Sequence, residues 1–496
     1  MGVGVGVGGD GCSRHAAGSL RWRVNAPGTA GERAAQRGLI QRALAHMSDR
    51  ANWLAGHNDA TAWVVWAVAA AVLAGLAVAR PGANTVANNY RLAALAWVQG
   101  RDMYTPGADG WLYPPQAAVL FVPFALLPEG LGEGAWRVAI VMVYAWAVWR
   151  VSRVAVGGAA SDGGGGGGGV GDGGGGGGAP GRISVFFPAT LLALPAGLGA
   201  MHNGQSNVPV GAMMALAAAE AALGRHWLSA AWGGLGTAVK PLGVVVSVVL
   251  GLVGVVRGVG GEGGEGVGEG GSQRRSRVVA AWVVAGVVVA GFPLVSHTSV
   301  AYAWGQTLAG LAKLGEVAAY DGRRFADIEG ALETLGVVGP EASLTWLRAV
   351  ALAGMVALCV AAVAQLGQRW GTLVTGAAVC ACVVVFNPRS EGNSYVIVGL
   401  WPSVIGGVAL LVWRRAWLGW GLIGVAVCLA GAHLVQPGGK DYTVKPLVSL
   451  AMVCVLAWLV AGGRRRLEAL RKGGAMYTAQ ALERQPDASA ARGGLS

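Results

Sequence analysis

Long apolar segments separated by short polar breaks make up most of the chain. A helix that crosses a bilayer needs about 20 mostly apolar residues. Residues 227–256 are apolar but interrupted at Lys240-Pro241, which predicts a hairpin of two short helices. Residues 113–128 hold four prolines and either span, dip into or lie along the membrane. The pattern predicts an all-α integral membrane protein, a polytopic bundle of about 10–13 transmembrane helices. The predicted spans lie near residues 60–79, 135–156, 183–200, 208–223, 277–296, 345–366, 371–387, 396–413, 416–435 and 446–462.

The composition agrees with a membrane protein. Of the 496 residues, 54% are hydrophobic and only 12% are charged, whereas soluble domains carry about 25% charged residues. The net charge of +12 would suggest a nucleic-acid partner for a soluble protein. Here Lys and Arg concentrate in loops between apolar segments, as they do in cytoplasmic loops that face anionic lipid. We therefore expect membrane lipids, and no nucleic acid, as partners.

The apolar pattern also divides the chain. It predicts a polar N-terminal tail over residues 1–56, a membrane domain over 57–462, and a basic, then polar tail over 463–496. Two glycine-rich inserts, 157–181 and 258–273, have the composition of flexible coil and imply no chemistry. Most of the six cysteines lie in apolar runs, where cysteine packs as a small hydrophobe. No His/Cys/Asp set has metal-ligand spacing, so no metal site is assigned, and no cofactor is expected. Metal dependence stays open, because outer carboxylates from different loops could meet in space.

Basic residues predict the orientation. The run from Arg464 to Lys472 follows the last predicted helix and places the C-terminus in the cytoplasm. Alternating spans then put most other basic loops on the same side. They leave three long or polar regions on the outer face, 80–134, 201–207 and 297–344, joined by the short loop 388–395. The sequence thus predicts a multi-pass protein of the plasma (cytoplasmic) membrane whose active face is extracytoplasmic.

Polar side chains accumulate on that outer face. The stretch GLGAMHNGQSNVPVG, residues 198–212, places amides at the end of an apolar segment. Any one such residue is explained by helix capping, but polar groups from several loops on one face indicate function. Lys240 lies within an apolar stretch and therefore needs an anionic partner, for which a phosphate group is suitable. The outer face also carries Asn88, Arg91, Arg101, Tyr113, Gln205 and Asn207.

Several short motifs follow one another in a fixed order along the outer loops and helix ends. They are Tyr90-x-x-Ala93, Gly100-x-x-x-Tyr104, Tyr113-Pro114-Pro115, Pro123 before Leu127-Pro128, Gly204-Gln205-x-Asn207, Gly233 to Lys240-Pro241, and NPRSEGNSY at 387–395. Their order resembles glycosyltransferase family 87 over roughly residues 60–462. The resemblance implies a membrane enzyme of the GT-C type, a hexosyltransferase that takes a sugar, often mannose, from a polyprenyl-phosphate donor. Transfer to a lipid or glycan acceptor is then expected on the outer face.

The resemblance also implies roles for the outer polar residues. Lys240, Arg91 and Arg101 are candidates for holding the phosphate, while Gln205 and Asn207 are candidates for hydrogen bonds to the sugar or phosphate. Tyr113 and Asn88 complete the expected substrate-binding set.

The general base is where the chain departs from the family pattern. Members usually carry an aspartate about four residues before the first-loop tyrosine, and Val86 stands there. Asp102, Asp109 and Glu391 are the remaining candidate catalytic carboxylates. Two alternatives stay open: a catalytically inactive relative that has lost the base, and a transporter or flippase of a lipid-linked substrate, because broken helices with a charged residue also suit transporters.

Overall fold

A computed structural model gives the fold. It describes residues 59–83, 85–104, 111–161, 184–257, 270–318, 325–337, 341–388, 390–435 and 443–483. These residues belong to one unit of the chain, Ser48–Ser496. The predicted tail over 1–56, most of both glycine-rich inserts and Asp109 lie outside the described residues.

The described residues form α-helices and one short 3-10 helix, with no β-strand among them. The helices, in chain order, are α1 (Asp59–Ala79), α2 (Ala87–Val98), α3 (Pro115–Ala125), α4 (Glu129–Ser161), α5 (Phe186–His202), α6 (Asn207–Ala222), α7 (His226–Val239), α8 (Gly243–Arg257), α9 (Gly270–Ser296), α10 (Val300–Ala318), α11 (Ile328–Thr334), α12 (Glu341–Phe386), the 3-10 helix (Gly392–Tyr395), α13 (Val396–Leu411), α14 (Ala416–Val435) and α15 (Val444–Glu483).

Six of the described helical segments are long and apolar enough to cross a membrane, and the all-α polytopic fold is confirmed. They lie in α1, α4, α9, α12, α13 with the preceding 3-10 helix, and α15. Shorter apolar helices accompany them: α3, α5, α6, α8 and α14. The 11 residues of α3 rise only about 17 Å at 1.5 Å per residue, too little for a bilayer core of about 30 Å.

Two breaks in the apolar pattern have identifiable causes. α7 ends at Val239 and α8 begins at Gly243, so Lys240-Pro241 separates two short helices as predicted. Gly367, with φ +75°, interrupts α12 and separates the two spans predicted there. A Cβ atom on Gly371 would lie 2.5 Å from the Cα atom of Val363, so the two halves of α12 pack closely just after this turn.

Three helices of the predicted outer segments were missed by the sequence analysis: α2, α10 and α11. The criterion of about 20 mostly apolar residues identifies membrane spans. It does not identify helices of mixed polarity that bury only one face. In α2 most buried positions, Ala87, Tyr90, Ala93, Ala94 and Trp97, have the spacing of one helical face, and Ala96 is buried beside them. The outer segments are therefore partly ordered caps on the bundle.

The centre of the bundle is built from α6 and α13. Nearly every residue of both helices is buried, and small residues let their backbones approach. A Cβ atom on Gly211 would lie 2.9 Å from the Cα atom of Ile397. Both helices begin at the same end of the bundle, called the site end below. At the opposite end Arg150 pairs with Glu220 at 2.6 Å.

Candidate functional site

The turn between α5 and α6 forms the floor of the candidate site. α5 ends at His202, and Gly204 reverses the chain with a φ of +65° that favours glycine. Gln205, Ser206 and Asn207 follow and are each no more than 5% exposed. These polar side chains therefore face protein interior at the site end.

Lys240 reaches this turn from the end of α7. It adopts an extended conformation immediately before Pro241, and its Nζ donates a hydrogen bond of 2.8 Å to Oδ1 of Asn207. The Nδ2 of Asn207 in turn donates to Oγ of Ser394, at 3.2 Å, in the 3-10 helix before α13. We call Asn207, Lys240 and Ser394 the lysine–amide cluster. It joins three segments that are far apart in the sequence.

The charge of Lys240 is not neutralised by its described neighbours. Its Nζ lies 5.8 Å from the centroid of the Tyr113 ring, a cation–π distance. Within the part of the chain that the structure describes, no carboxylate lies within ion-pair distance of it. An ammonium has three donors, and only one is accounted for by Asn207. The cluster is thus suited to receive an anion.

Tyrosine side chains form hydrogen bonds next to the α5–α6 turn. Tyr90 accepts a 3.1 Å hydrogen bond from the backbone N–H of Ser206 and donates to the Tyr113 hydroxyl at 3.4 Å. Tyr104 donates to the Tyr113 carbonyl at 2.8 Å. Burial, with the neighbouring Tyr113 hydroxyl, raises the pKa of Tyr90 well above its usual value. Tyr90 therefore stays a neutral hydroxyl at physiological pH.

A cavity of about 190 Å³ opens beside these tyrosines. Its wall is largely aromatic and also includes the Ser206 hydroxyl. That hydroxyl is buried close to Tyr90 and makes no hydrogen bond of its own with the described residues. Aromatic walls with a few placed polar groups are typical of small-molecule sites. The aromatic residues of the wall are Tyr90, Trp111, Tyr113, Phe121 and Trp136.

A larger apolar groove, of about 610 Å³, runs between α7, α8 and α9. It begins at Thr237, one turn before Lys240, and follows α8 from Val244 to Val255, a length of about 17 Å. Gln116 of α3 closes it on one side by donating to the Val289 carbonyl at 3.0 Å. The Gln116 side-chain oxygen is buried without a partner among the described residues. The groove can accept an apolar chain whose head lies at Lys240.

The remaining predicted binding residues lie elsewhere. Arg91 donates to the Leu127 carbonyl at 2.7 Å and so fastens the turn between α3 and α4. Arg101 is exposed, and its carbonyl accepts from the Tyr302 hydroxyl at 2.6 Å. Asn88 is exposed on α2. Among the described contacts none joins these three side chains to Lys240.

Two of the three candidate carboxylates are in the described part of the chain. Asp102 is exposed and accepts from the backbone N–H of Tyr104 at 2.9 Å. Burial, together with the Asp102 charge, raises the pKa of Tyr302 to about 12. Glu391 is exposed directly before the 3-10 helix that holds Ser394. Asp109 is outside the described residues, so Asp102 and Glu391 are the predicted bases that the structure places.

Several side chains at the site were not selected from the sequence. Tyr90 appeared only as part of a motif, and Gln116, Ser206 and Ser394 were not chosen. Two of these residues lie in or beside the motifs of the sequence. Gln116 directly follows Tyr113-Pro114-Pro115, and Ser394 lies in the NPRSEGNSY stretch. Among the described residues no group of three or more His, Cys, Asp or Glu side chains could hold a metal ion.

Comparison with models of protein families shows which family the chain belongs to. The model of glycosyltransferase family 87 matches residues 111–388, more than half of the chain. This chain belongs to glycosyltransferase family 87. The match contains the groove and the contact between Lys240 and Asn207, but begins after Asp102 and ends before Glu391. Comparison with curated proteins and with solved structures gives no match. The family membership makes the chain a multi-pass membrane glycosyltransferase.

Proposed function

We propose that this glycosyltransferase moves a hexose, mannose in the first instance, from a polyprenyl-phosphate sugar to a lipid or glycan acceptor on the outer face of the plasma membrane. The observation that carries the proposal is the unneutralised charge of Lys240, held over Asn207 at the end of an apolar groove. The proposal includes a membrane domain over residues 57–462 between an N-terminal tail and a cytoplasmic C-terminal tail.

The phosphate of the donor would lie at Lys240. When the glycosidic bond breaks, the bridging oxygen leaves with the electron pair and the lipid phosphate gains negative charge. A fixed cation stabilises that charge better in the transition state than in the ground state. The first turn of α6 begins at Asn207, so the positive end of its dipole lies beside the ammonium and adds to the same effect.

The two cavities supply the other parts of the donor site. The apolar groove fits a polyprenyl chain, because it runs along α7–α9 and its head end is one helical turn from Lys240. The aromatic cavity is lined by Tyr113, whose ring lies near Lys240, and by Ser206, whose hydroxyl has no partner among the described residues, which suits a sugar. We include Gln205, Asn207 and Tyr113 in this donor site; Asn88, Arg91 and Arg101 stay predictions.

The acceptor side requires a base. The acceptor oxygen forms a bond to the anomeric carbon and loses its proton to a carboxylate. Val86 occupies the position of the usual family aspartate, and its backbone N–H donates to the Asn203 carbonyl at 3.1 Å, so this position contributes to structure. We propose Asp102 or Glu391 as the base, with Asp109 as the third candidate.

The test is donor consumption by membranes that contain the full-length protein. We expect label to move from a polyprenyl-phosphate mannose to an extractable acceptor, and no transfer from a nucleotide sugar. Transfer from the nucleotide sugar alone would contradict the proposal. Binding of the lipid donor without transfer would instead favour the inactive relative, and release of donor across the bilayer would favour a transporter.

The same assay assigns the base. The residue that acts as base should lose at least about 100-fold in kcat on replacement by its amide, in Asp102→Asn, Asp109→Asn or Glu391→Gln, with donor binding retained. Unchanged rates in all three variants would remove the proposed carboxylates from the mechanism.

Filling the apolar groove is expected to raise KM for the lipid donor. Gly286 lines the groove, and a Cβ atom there meets no atom within 4 Å, so Gly286→Leu should occupy groove space without straining α9. We expect a rise in KM of about tenfold or more with little change in kcat, as for lost uniform binding. Gly291→Leu is the matched control, because Gly291 is also in α9 with equal free space but does not line the groove. Equal effects of both variants would exclude the groove as the donor site.

A further inference from the structure

Two neighbouring side chains of α4 hold the α5–α6 turn, and a third side chain pairs with one of them. Nε of Arg137 donates to the His202 carbonyl at 2.9 Å. Nε1 of Trp136 donates to the Gly204 carbonyl at 2.8 Å. Glu133, one turn earlier, pairs with Arg137 at 3.4 Å. We call Glu133, Trp136 and Arg137 the α4 clamp.

The backbone carbonyl between those of His202 and Gly204 also accepts a hydrogen bond. Asn203 accepts from the backbone N–H of Val86 at 3.1 Å. Three successive carbonyls, 202 to 204, are therefore bound by groups from outside the α5–α6 hairpin. The turn leads directly into Asn207, so fixing these carbonyls fixes the direction in which the Asn207 amide points.

The clamp carries charge where charge is costly. Arg137 is 2% exposed and Glu133 is 4% exposed. A buried ion pair gains little net stability, because desolvation of both charges offsets their attraction. In a membrane protein such groups are rare and tend to serve function. The second oxygen of Glu133 accepts from the Gly82 N–H at 3.1 Å, so the pair is anchored on both sides.

We propose that the α4 clamp positions the phosphate site: Trp136 and Arg137 hold the turn so that Asn207 presents its oxygen to Lys240. Arg137 acts through the backbone of the turn. Trp136 also lines the aromatic cavity, and its positioning role here rests on its bond to the Gly204 carbonyl. The inference rests on the proposed function, because its consequence is measured on the donor phosphate. A misplacement of about 1 Å at a catalytic group is enough to cost about 100-fold.

The same helix provides a matched control at its other end. The pair Trp149-Arg150 repeats the Trp136-Arg137 dipeptide 13 residues later. Trp149 Nε1 donates to Asp59 at 3.2 Å, and Arg150 Nε donates to Glu220 at 2.6 Å. The donors are the same, but they bind carboxylates instead of backbone carbonyls, and they lie at the opposite end of the bundle from the lysine–amide cluster.

The experiment compares four conservative variants of the full-length protein: Trp136→Phe, Arg137→Lys, Trp149→Phe and Arg150→Lys. Each keeps the ring or the charge and removes one directed hydrogen bond. We measure transfer kinetics, binding of sugar-free polyprenyl phosphate and the melting temperature. The two clamp variants should each lose about tenfold in kcat/KM and in phosphate-lipid binding, with melting temperatures like those of their controls. If the two control variants lost as much kcat/KM and phosphate-lipid binding, the clamp would contribute only to overall stability, and the proposal would be overturned.

A double-mutant cycle separates positioning from a merely structural role. If Trp136 acts through Asn207, then Trp136→Phe should have little further effect on phosphate-lipid binding once Asn207→Ala is present. Additive losses would overturn the proposal. Lys240→Ala in the same binding assay tests the proposed function separately: wild-type binding in that variant would remove the phosphate site itself, and the clamp's role with it.

Discussion

Replacement of Lys240 by methionine is expected to lower kcat/KM for sugar transfer by about 100- to 1000-fold, the loss found when one preorganised group that stabilises developing charge is removed. Methionine keeps an unbranched apolar stem over the Tyr113 ring and removes the cation together with its hydrogen bond to Asn207. The loss should fall mainly on kcat, because the phosphate carries its largest charge after the glycosidic bond has begun to break.

The controls are a charge-retaining variant and a second lysine. Lys240→Arg keeps the cation with different donor geometry and should retain more activity than Lys240→Met. Lys445 is also buried at the site end, where its Nζ donates to the carbonyl of Gly392, two residues before Ser394, at 3.0 Å. Lys445→Met therefore removes a second buried cation close to the cluster. If Lys445→Met were as damaging as Lys240→Met, the specific phosphate role of Lys240 would be lost.

The fold could be predicted from the sequence where one local property decides it. Apolar length defined the spans, and Pro241 ended α7 because proline removes a donor and clashes with the preceding turn. The outer helices α2, α10 and α11 were missed because they are mixed in polarity, and α2 and α11 are also short. Their structure depends on burying one face against the bundle, and a single sequence does not show which surface covers it.

The site was predictable in part for a related reason. Lys240 and Asn207 both lie at predicted helix ends, and alternation of spans was enough to place both on the outer face. The contact with Ser394 and the aromatic cavity depend on the packing of α2, α3 and α13 around α6, which no local pattern encodes. Arg91 stays a prediction: its guanidinium donates to the Leu127 carbonyl, and a sequence pattern does not show such a contact.

Changing Asn207 to aspartate is expected to be nearly as damaging as removing the lysine, with a loss of about 100-fold in kcat/KM. The change leaves the shape of the side chain almost intact. It places a carboxylate oxygen where the amide oxygen now lies, 2.8 Å from Nζ of Lys240. The ammonium would then be paired within the protein, and the new negative charge would repel the donor phosphate.

Stability and a neighbouring control distinguish this electrostatic effect from misfolding. The new ion pair should leave the melting temperature unchanged or higher, since the Ser394 hydroxyl can rotate to donate to the carboxylate. Asn203→Asp introduces the same charge into the same turn, four residues earlier, and should retain most activity. A loss of equal size there would mean that any charge in the turn is harmful.

Combining Asn207→Asp with Lys240→Met gives the strictest test. Each single change makes the Lys240 charge unavailable to the donor, the first by pairing it and the second by removing it. The double variant Asn207→Asp with Lys240→Met should therefore be little worse than Lys240→Met alone, since residues that act as one unit do not contribute additively. Multiplied losses would show that Asn207 serves the donor independently of Lys240. In that case the amide itself, and not the charge that it leaves available, would be what the phosphate or the sugar contacts.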